Sequence, residues 1–196
     1  MYKIFYKLDK EKQKRIINSS LQIFSINDFK HASTDDIAAK AKISKGSLFH
    51  YFKNKLSLYI FIYEYALKVL AEKTNEKFNF EETDYFEILC QSQKLKIDLL
   101  EQYPYLYKFV IKASSEKIPD ISKLVVDINQ TKQSEMYMKI FGKINYSKFK
   151  DGTDIEKLTK MIYWCSEGIW NEGMHNHSSV GEMYEQLLEV YDFYKS

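Results

Sequence analysis

The feature that most constrains this chain is a pair of serine-capped helical segments separated by a three-residue break. Ser33 precedes Thr34-Asp35-Asp36, and an acid three residues after a serine matches a capping box. Two acids in a first turn also suit the positive end of a helix dipole. The short helix that follows, 34–41, carries Ile37, Ala38 and Ala41 on one face. Lys42-Ile43 forms a tight break, and Ser44 caps a second short helix, 45–52. Small Ala38 and Ala41 at the crossing let the second helix pack steeply across the first, which describes a helix-turn-helix. The second helix can then stand proud of the surface and enter a major groove about 12 Å wide.

The rest of the chain is also patterned for helices. Ile16, Ile17, Ser20, Leu21, Ile23 and Phe24 fall at three- and four-residue spacings and predict a first helix over 9–26. Asn27-Asp28 is expected to end it through the left-handed conformation these residues tolerate. Lys53-Asn54-Lys55 reads as a polar hinge before a long amphipathic helix containing Leu58, Phe61, Ile62, Tyr65, Ala66, Val69 and Leu70. Further helices are predicted over 85–102, 104–115, 119–143, 153–175 and 180–195, with Pro104 and Pro119 in first turns, where a missing N–H costs nothing. No segment alternates with period two. With two prolines and six glycines in 196 residues, the composition favours long helices over a sandwich or barrel. The fold class is therefore all-α, an N-terminal three-helix head followed by a larger helical body.

Charge divides the chain at the same place. The formal net charge of +2 hides a head, residues 1–55, with twelve basic and five acidic side chains, net +7. Residues 56–196 hold 17 basic and 22 acidic groups, net −5. A basic head on an acidic body suggests a polyanion partner for the head alone, and domains of 1–55 and 56–196. Cys90 and Cys165 are isolated, which reads as reduced thiols rather than a disulfide framework or metal site. The N-terminus lacks the apolar core of a signal peptide, and the longest apolar run, 58–63, is far short of a membrane span. A cytoplasmic location without membrane association is expected.

The stretch STDDIAAKAKISKGSLFHYFKNKLSLY resembles the DNA-binding domain of TetR-type (tetracycline-repressor family) transcriptional regulators. The matching signal is a Thr-started helix with Ile-Ala, an Ala before the turn, then Ser-x-Gly-x-Leu-aromatic-x-Tyr-Phe-x-Asn-Lys. The resemblance covers roughly residues 10–60. It implies a homodimeric repressor whose heads bind a palindromic double-stranded DNA operator and whose body holds a small hydrophobic effector. By position it implies that Lys45, Gly46 and Ser47 face base edges, that His50 reaches a base or phosphate, and that Thr34, Tyr51 and Lys55 contact phosphates. Their chemistry agrees: helix N-termini favour phosphate, Lys donates to guanine O6/N7, and glycine permits close backbone approach. Lys42 stands where the family usually has Gly, and Asp35 where several members carry a basic or polar contact. Asp35 is expected to face away from phosphate or to read cytosine N4.

Two helices of the body carry broad apolar stripes. Leu158, Met161, Ile162, Cys165 and Ile169 line one; Met183, Tyr184, Leu187, Leu188 and Tyr191 line the other. In the family the last two long helices pair with a second copy, so these are the candidate dimer residues, shared with intramolecular core. Candidate effector-lining residues are Phe86, Leu89, Tyr103, Tyr107, Ile111, Met136, Met138, Phe141, Tyr163, Trp164 and Trp170, with Glu167 as a carboxylate for a cationic lipophile. His175 and His177 have only Glu172 nearby and read as solvent-exposed rather than as metal ligands. No phosphate-binding Gly-rich loop, HExxH, GxSxG or paired carboxylates appear, so neither cofactor nor catalysis is expected. The rival readings are a helical carrier protein that does not bind DNA, and an enzyme built on a helical bundle.

Overall fold

The structure of the chain, a computed structural model, describes residues 2–195 and the side chains of all of these but 131–134 and 174. Among the described residues every regular element is helical: α1 Lys3–Tyr6, α2 Lys10–Ile26, α3 Thr34–Lys40, α4 Lys45–Phe52, α5 Lys55–Lys77, α6 Tyr85–Gln102, α7 Pro104–Ser114, α8 Pro119–Phe141, α9 Ile155–His175 and α10 Val180–Lys195, with a 3-10 turn at Tyr146–Lys148. The all-helical reading holds. Two compact units share the chain: Met1–Glu76 with Leu99–Met136, and Lys77–Asp98 with Tyr137–Ser196.

In the first unit α2 packs on α3 and α7, and α3 on α4. Its core includes Phe24, Tyr59 and Phe109, all nearly or fully buried. Phe24 stacks on Phe109 at 5.7 Å, and Tyr59 meets both rings edge-on at 4.9 and 5.1 Å. Burial pushes the Tyr59 hydroxyl far above the ordinary phenol range, with Glu116 adding to it. Asp9 caps α2 by accepting from the Lys12 N–H at 2.8 Å. The predicted left-handed end of α2 is not used: Asn27 is extended (φ −114°, ψ 147°), and its side-chain amide donates to the Ile23 carbonyl instead. Asn thus closes the helix through its side chain rather than its backbone.

Helix α1 has no counterpart in the sequence reading. Four residues carry no measurable periodicity, so tertiary contacts specify it. Phe5 is fully buried against Phe52 and Phe61, at 5.1 and 5.0 Å, and Tyr2 meets the same two rings. The Gln13 amide donates to the carbonyls of Tyr6 and Leu8, satisfying groups that the short helix leaves open. The aromatic clasp bears on Phe52, the last residue of α4.

In the second unit α9 packs on α10. Gly173 lies so close to the Met183 side chain that any larger residue there would displace it. The loop before α6 is tied to the segment after α8: the Asn145 N–H donates to the Thr83 carbonyl, and Lys143 and Lys148 pair with Glu81 and Asp84. Among the described residues, no helix is long and apolar enough to cross a membrane.

Candidate nucleic-acid interface

The two serines act as their positions predict. Ser33 Oγ accepts from the Asp36 N–H at 3.2 Å, and Ser44 Oγ from the Ser47 N–H at 3.0 Å. Each cap satisfies one of the open donors of a helix start. Between them the chain turns at Lys42, which is left-handed at φ 57°. The Ile43 N–H then reaches back to the Ala38 carbonyl at 3.0 Å. A non-glycine residue in this conformation costs roughly 1 kcal/mol. Ala41 beneath the turn is fully buried, and a side chain larger than methyl there would force α3 and α4 apart.

Helix α4 is anchored by one face. Leu48 and Phe52 are buried, and Phe49 is half-buried. Lys45, Gly46 and His50 are exposed on the other side, with Ser47 half-buried beside them. The helix therefore presents its first turn and His50 outward from a fixed base. Thr34, the first residue of α3, is half-buried. Tyr51 is half-buried and packs against the core, edge-on to His50 at 5.8 Å, with the Lys12 ammonium 5.7 Å from its ring.

Two basic residues are more engaged than the sequence reading allowed. Lys45 Nζ donates to Asp35 Oδ2 at 2.8 Å, with both side chains at least half exposed. Asp35 thus faces the recognition helix rather than away from it. Lys55 lies over the Phe29 ring at 4.8 Å and donates to the Lys30 carbonyl at 3.2 Å. Burial pulls its ammonium below the ordinary lysine range, against the opposing pull of Asp28. Two basic residues of α2 that the sequence reading did not single out also lie near these elements. Lys12 sits by Tyr51, and Arg15 donates to the Ala41 carbonyl at 3.3 Å. Their only sequence signal was a run of positive charge opposite the apolar face of α2.

The residues suggested for an effector fall in both units. Tyr103, Tyr107, Ile111 and Met136 belong to the first; Tyr103 packs on its core, and Ile111 is exposed. In the second, Phe86 and Trp170 are buried and Leu89 and Phe141 half-buried, whereas Met138, Tyr163, Trp164 and Glu167 are exposed. A cleft of ≈ 490 Å³ in that unit is lined by Phe86 together with Tyr85, Lys148, Phe149, Tyr194 and Lys195, among others. Of the suggested dimer residues, Ile162, Met183, Leu187 and Tyr191 are buried within the chain itself. Leu158, Cys165, Ile169, Tyr184 and Leu188 are half-buried, and Met161 is exposed beside Trp164. His175 and His177 are exposed at the end of α9.

Residues 16–60 match the profile of the bacterial regulatory proteins of the TetR family. A Staphylococcus aureus relative, the biofilm operon icaADBC HTH-type negative transcriptional regulator IcaR, is 26% identical over 153 residues, covering 74% of this chain and 73% of that protein. A TetR-like transcriptional regulator from Rhodococcus sp. RHA1 superposes with a TM-score of 0.69 at 15% identity, covering 94% of this chain and 96% of that one. The fatty acid degradation regulator FadR from Bacillus halodurans gives a TM-score of 0.68 at 14% identity, over the same shares of the two chains. At these identities the two structures speak for the fold.

Proposed function

Given that this chain belongs to the TetR family of bacterial regulatory proteins, we propose that it is a homodimeric repressor that leaves a palindromic operator when a small hydrophobic effector binds. The carrying observation is the α3–α4 pair: a recognition helix anchored by Leu48 and Phe52, with Lys45, Gly46 and His50 exposed on a head of net charge +7. In this reading residues 1–55 form the DNA-binding domain and 56–196 the effector and dimerisation body. Lys45, Gly46 and Ser47 meet base edges, His50 a base or phosphate, and Thr34, Tyr51 and Lys55 phosphates. IcaR is a negative regulator, and repression is carried over from it.

Dimerisation uses α9 and α10. Exposed Met161 and Trp164, with half-buried Cys165, Ile169, Tyr184 and Leu188, support a partner-facing stripe beside the internal core of Ile162, Leu187 and Tyr191. Exposed Gly168 adds room for close approach. The effector favours a dimer whose recognition helices no longer match successive major grooves about 34–36 Å apart. Only a difference in affinity between the two dimer states produces release. The protein acts in the cytoplasm, on DNA, without a catalytic role.

Selection of bound fragments from the source genome tests this reading. A single enriched palindrome is expected, with Lys45→Ala or Ser47→Ala changing the preferred bases. Recovery of no palindrome, or binding that does not weaken with salt, would leave the carrier reading standing.

A further inference from the structure

We propose that the second unit binds an apolar molecule bearing a carboxylate, held by the Tyr191 hydroxyl and the donor groups that α6, α9 and α10 bring beside it. The proposal rests on reading this unit as an effector domain, and it assigns the effector its charge.

Tyr191 is 1% exposed, and among the described residues its hydroxyl has no hydrogen-bond partner. Ser166 and Gln93 are the polar side chains that face it. An unpartnered buried hydroxyl marks a place where a polar group can be received. Gln93 spends its carbonyl oxygen on the Trp170 indole N–H at 3.1 Å, which leaves its two amide N–H donors. One turn along α6, the Lys96 ammonium rests 4.2 Å from the centroid of the same Trp170 ring. Among the described residues no carboxylate lies within ion-pair distance of it, and Glu167 acts only from further away. Burial lowers the Lys96 ammonium from the ordinary lysine range, as it does for a cation short of a counterion.

These groups are a phenol, an amide NH2, a serine hydroxyl and an ammonium. All can donate, and the one full charge among them is positive. Their complement is an acceptor-only anion. A single cation matches a monoanion, which favours a carboxylate over a phosphate dianion. Ile162 and Leu187, one turn from Ser166 and Tyr191 and both buried, make the surroundings apolar, so the remainder of the ligand is hydrocarbon.

Calorimetric titration of the full-length protein with octanoate, octanol and octylammonium tests this. Octanoate is expected to bind about tenfold more tightly than octanol, the value of one hydrogen bond to a charged group, and octylammonium not to bind. Lys96→Met, which keeps the apolar stem, should weaken octanoate about tenfold and leave octanol unchanged. Tyr191→Phe should also weaken octanoate while raising the melting temperature, a gain that misfolding cannot produce. Equal affinities for octanoate and octanol, or octanoate binding untouched by both substitutions, overturns the proposal. Operator release is measured separately. Octanoate binding without release keeps the carboxylate site and removes the effector role; release by a neutral ligand with no octanoate binding keeps the regulator and removes the site.

Discussion

Replacing Asp35 with asparagine separates what the Asp35–Lys45 pair does for folding from what it does for DNA. The two side chains are 65% and 51% exposed and meet at 2.8 Å. A solvent-screened pair of this kind contributes about 0.2–1 kcal/mol. Asp35 also occupies the first turn of α3, where a negative charge is worth about 0.3–1 kcal/mol. Together these give about 0.5–2 kcal/mol, so Asp35→Asn should lower the melting temperature by about 1–8 °C. DNA binding should move the other way. Removing the carboxylate leaves the Lys45 charge uncompensated, which adds one effective cation beside the phosphates, and abolishes a repulsion at the same surface. One added contact steepens the slope of log affinity against log salt by about 0.9 per head. Over a fourfold fall in salt that is an extra strengthening of about 3.5-fold per head. Fluorescence anisotropy with a labelled non-operator duplex between about 50 and 200 mM salt measures it directly. The same titration on the selected operator should show discrimination falling, because the new contact is indifferent to sequence. A slope identical to that of the parent protein would refute the reasoning and place Asp35 away from the DNA.

Phe5→Ala removes a fully buried ring from the Phe52–Phe61 cluster and should cost about 3–5 kcal/mol, read as a shifted urea midpoint. Lys53→Ala should flatten the salt slope of DNA binding more than Lys55→Ala does, because Lys53 is exposed directly after α4 whereas Lys55 is half-buried over Phe29; the reverse order would return the main phosphate contact to Lys55. Burial acts to raise the Asp84 carboxyl, but Lys148 at 2.9 Å and the N–H groups of Phe86 and Glu87 outweigh it and hold the group below 3.8. A depressed carboxyl contributes stability above its unfolded value and loses it as pH falls through the folded value. Urea midpoints followed by tryptophan fluorescence should thus drop below about pH 4, and less so in Asp84→Asn.

Helix starts were legible wherever one residue settled them. Ser33, Ser44, Pro104 and Pro119 all stand at the helix starts their chemistry predicts. Left-handed backbone was signalled only at Lys42, where the resembled family usually has Gly; local preference gave no sign of it, because packing placed it on residues that do not favour it. Among the described non-glycine residues it falls at Lys42, Lys53 and His177, and none is a glycine substitute of the usual kind. At Lys42 the Ile43–Ala38 hydrogen bond and buried Ala41 hold the turn, so tertiary contact outweighs local preference. The apolar stripes of α9 and α10 were legible as stripes, but spacing could not separate Trp170, which is buried, from Trp164, which is 59% exposed. A helix that is apolar on more than one face looks the same in sequence whether one face meets its own chain or another surface.

The site residues follow the same logic in reverse. Lys55 and Lys45 were assigned to DNA by their positions in the resemblance, and each is met by a neighbour: Phe29 and the Lys30 carbonyl for one, Asp35 for the other. A long aliphatic stem lets lysine lie along apolar surface, so its charge alone does not reveal its exposure. The head's +7 is therefore not carried to its surface by these two residues alone. Lys42 and Lys53 are exposed at the two ends of the turn–α4 segment, where the DNA-bound form proposed above would bring them near phosphates. Gln93, Lys96 and Ser166 carry the opposite lesson. By pattern they belong to the polar faces of amphipathic helices, yet they surround Trp170 and the unpartnered Tyr191 hydroxyl. Three polar residues turned inward cost stability unless something fills their hydrogen bonds. A ligand with an anionic head, as proposed above, would fill them.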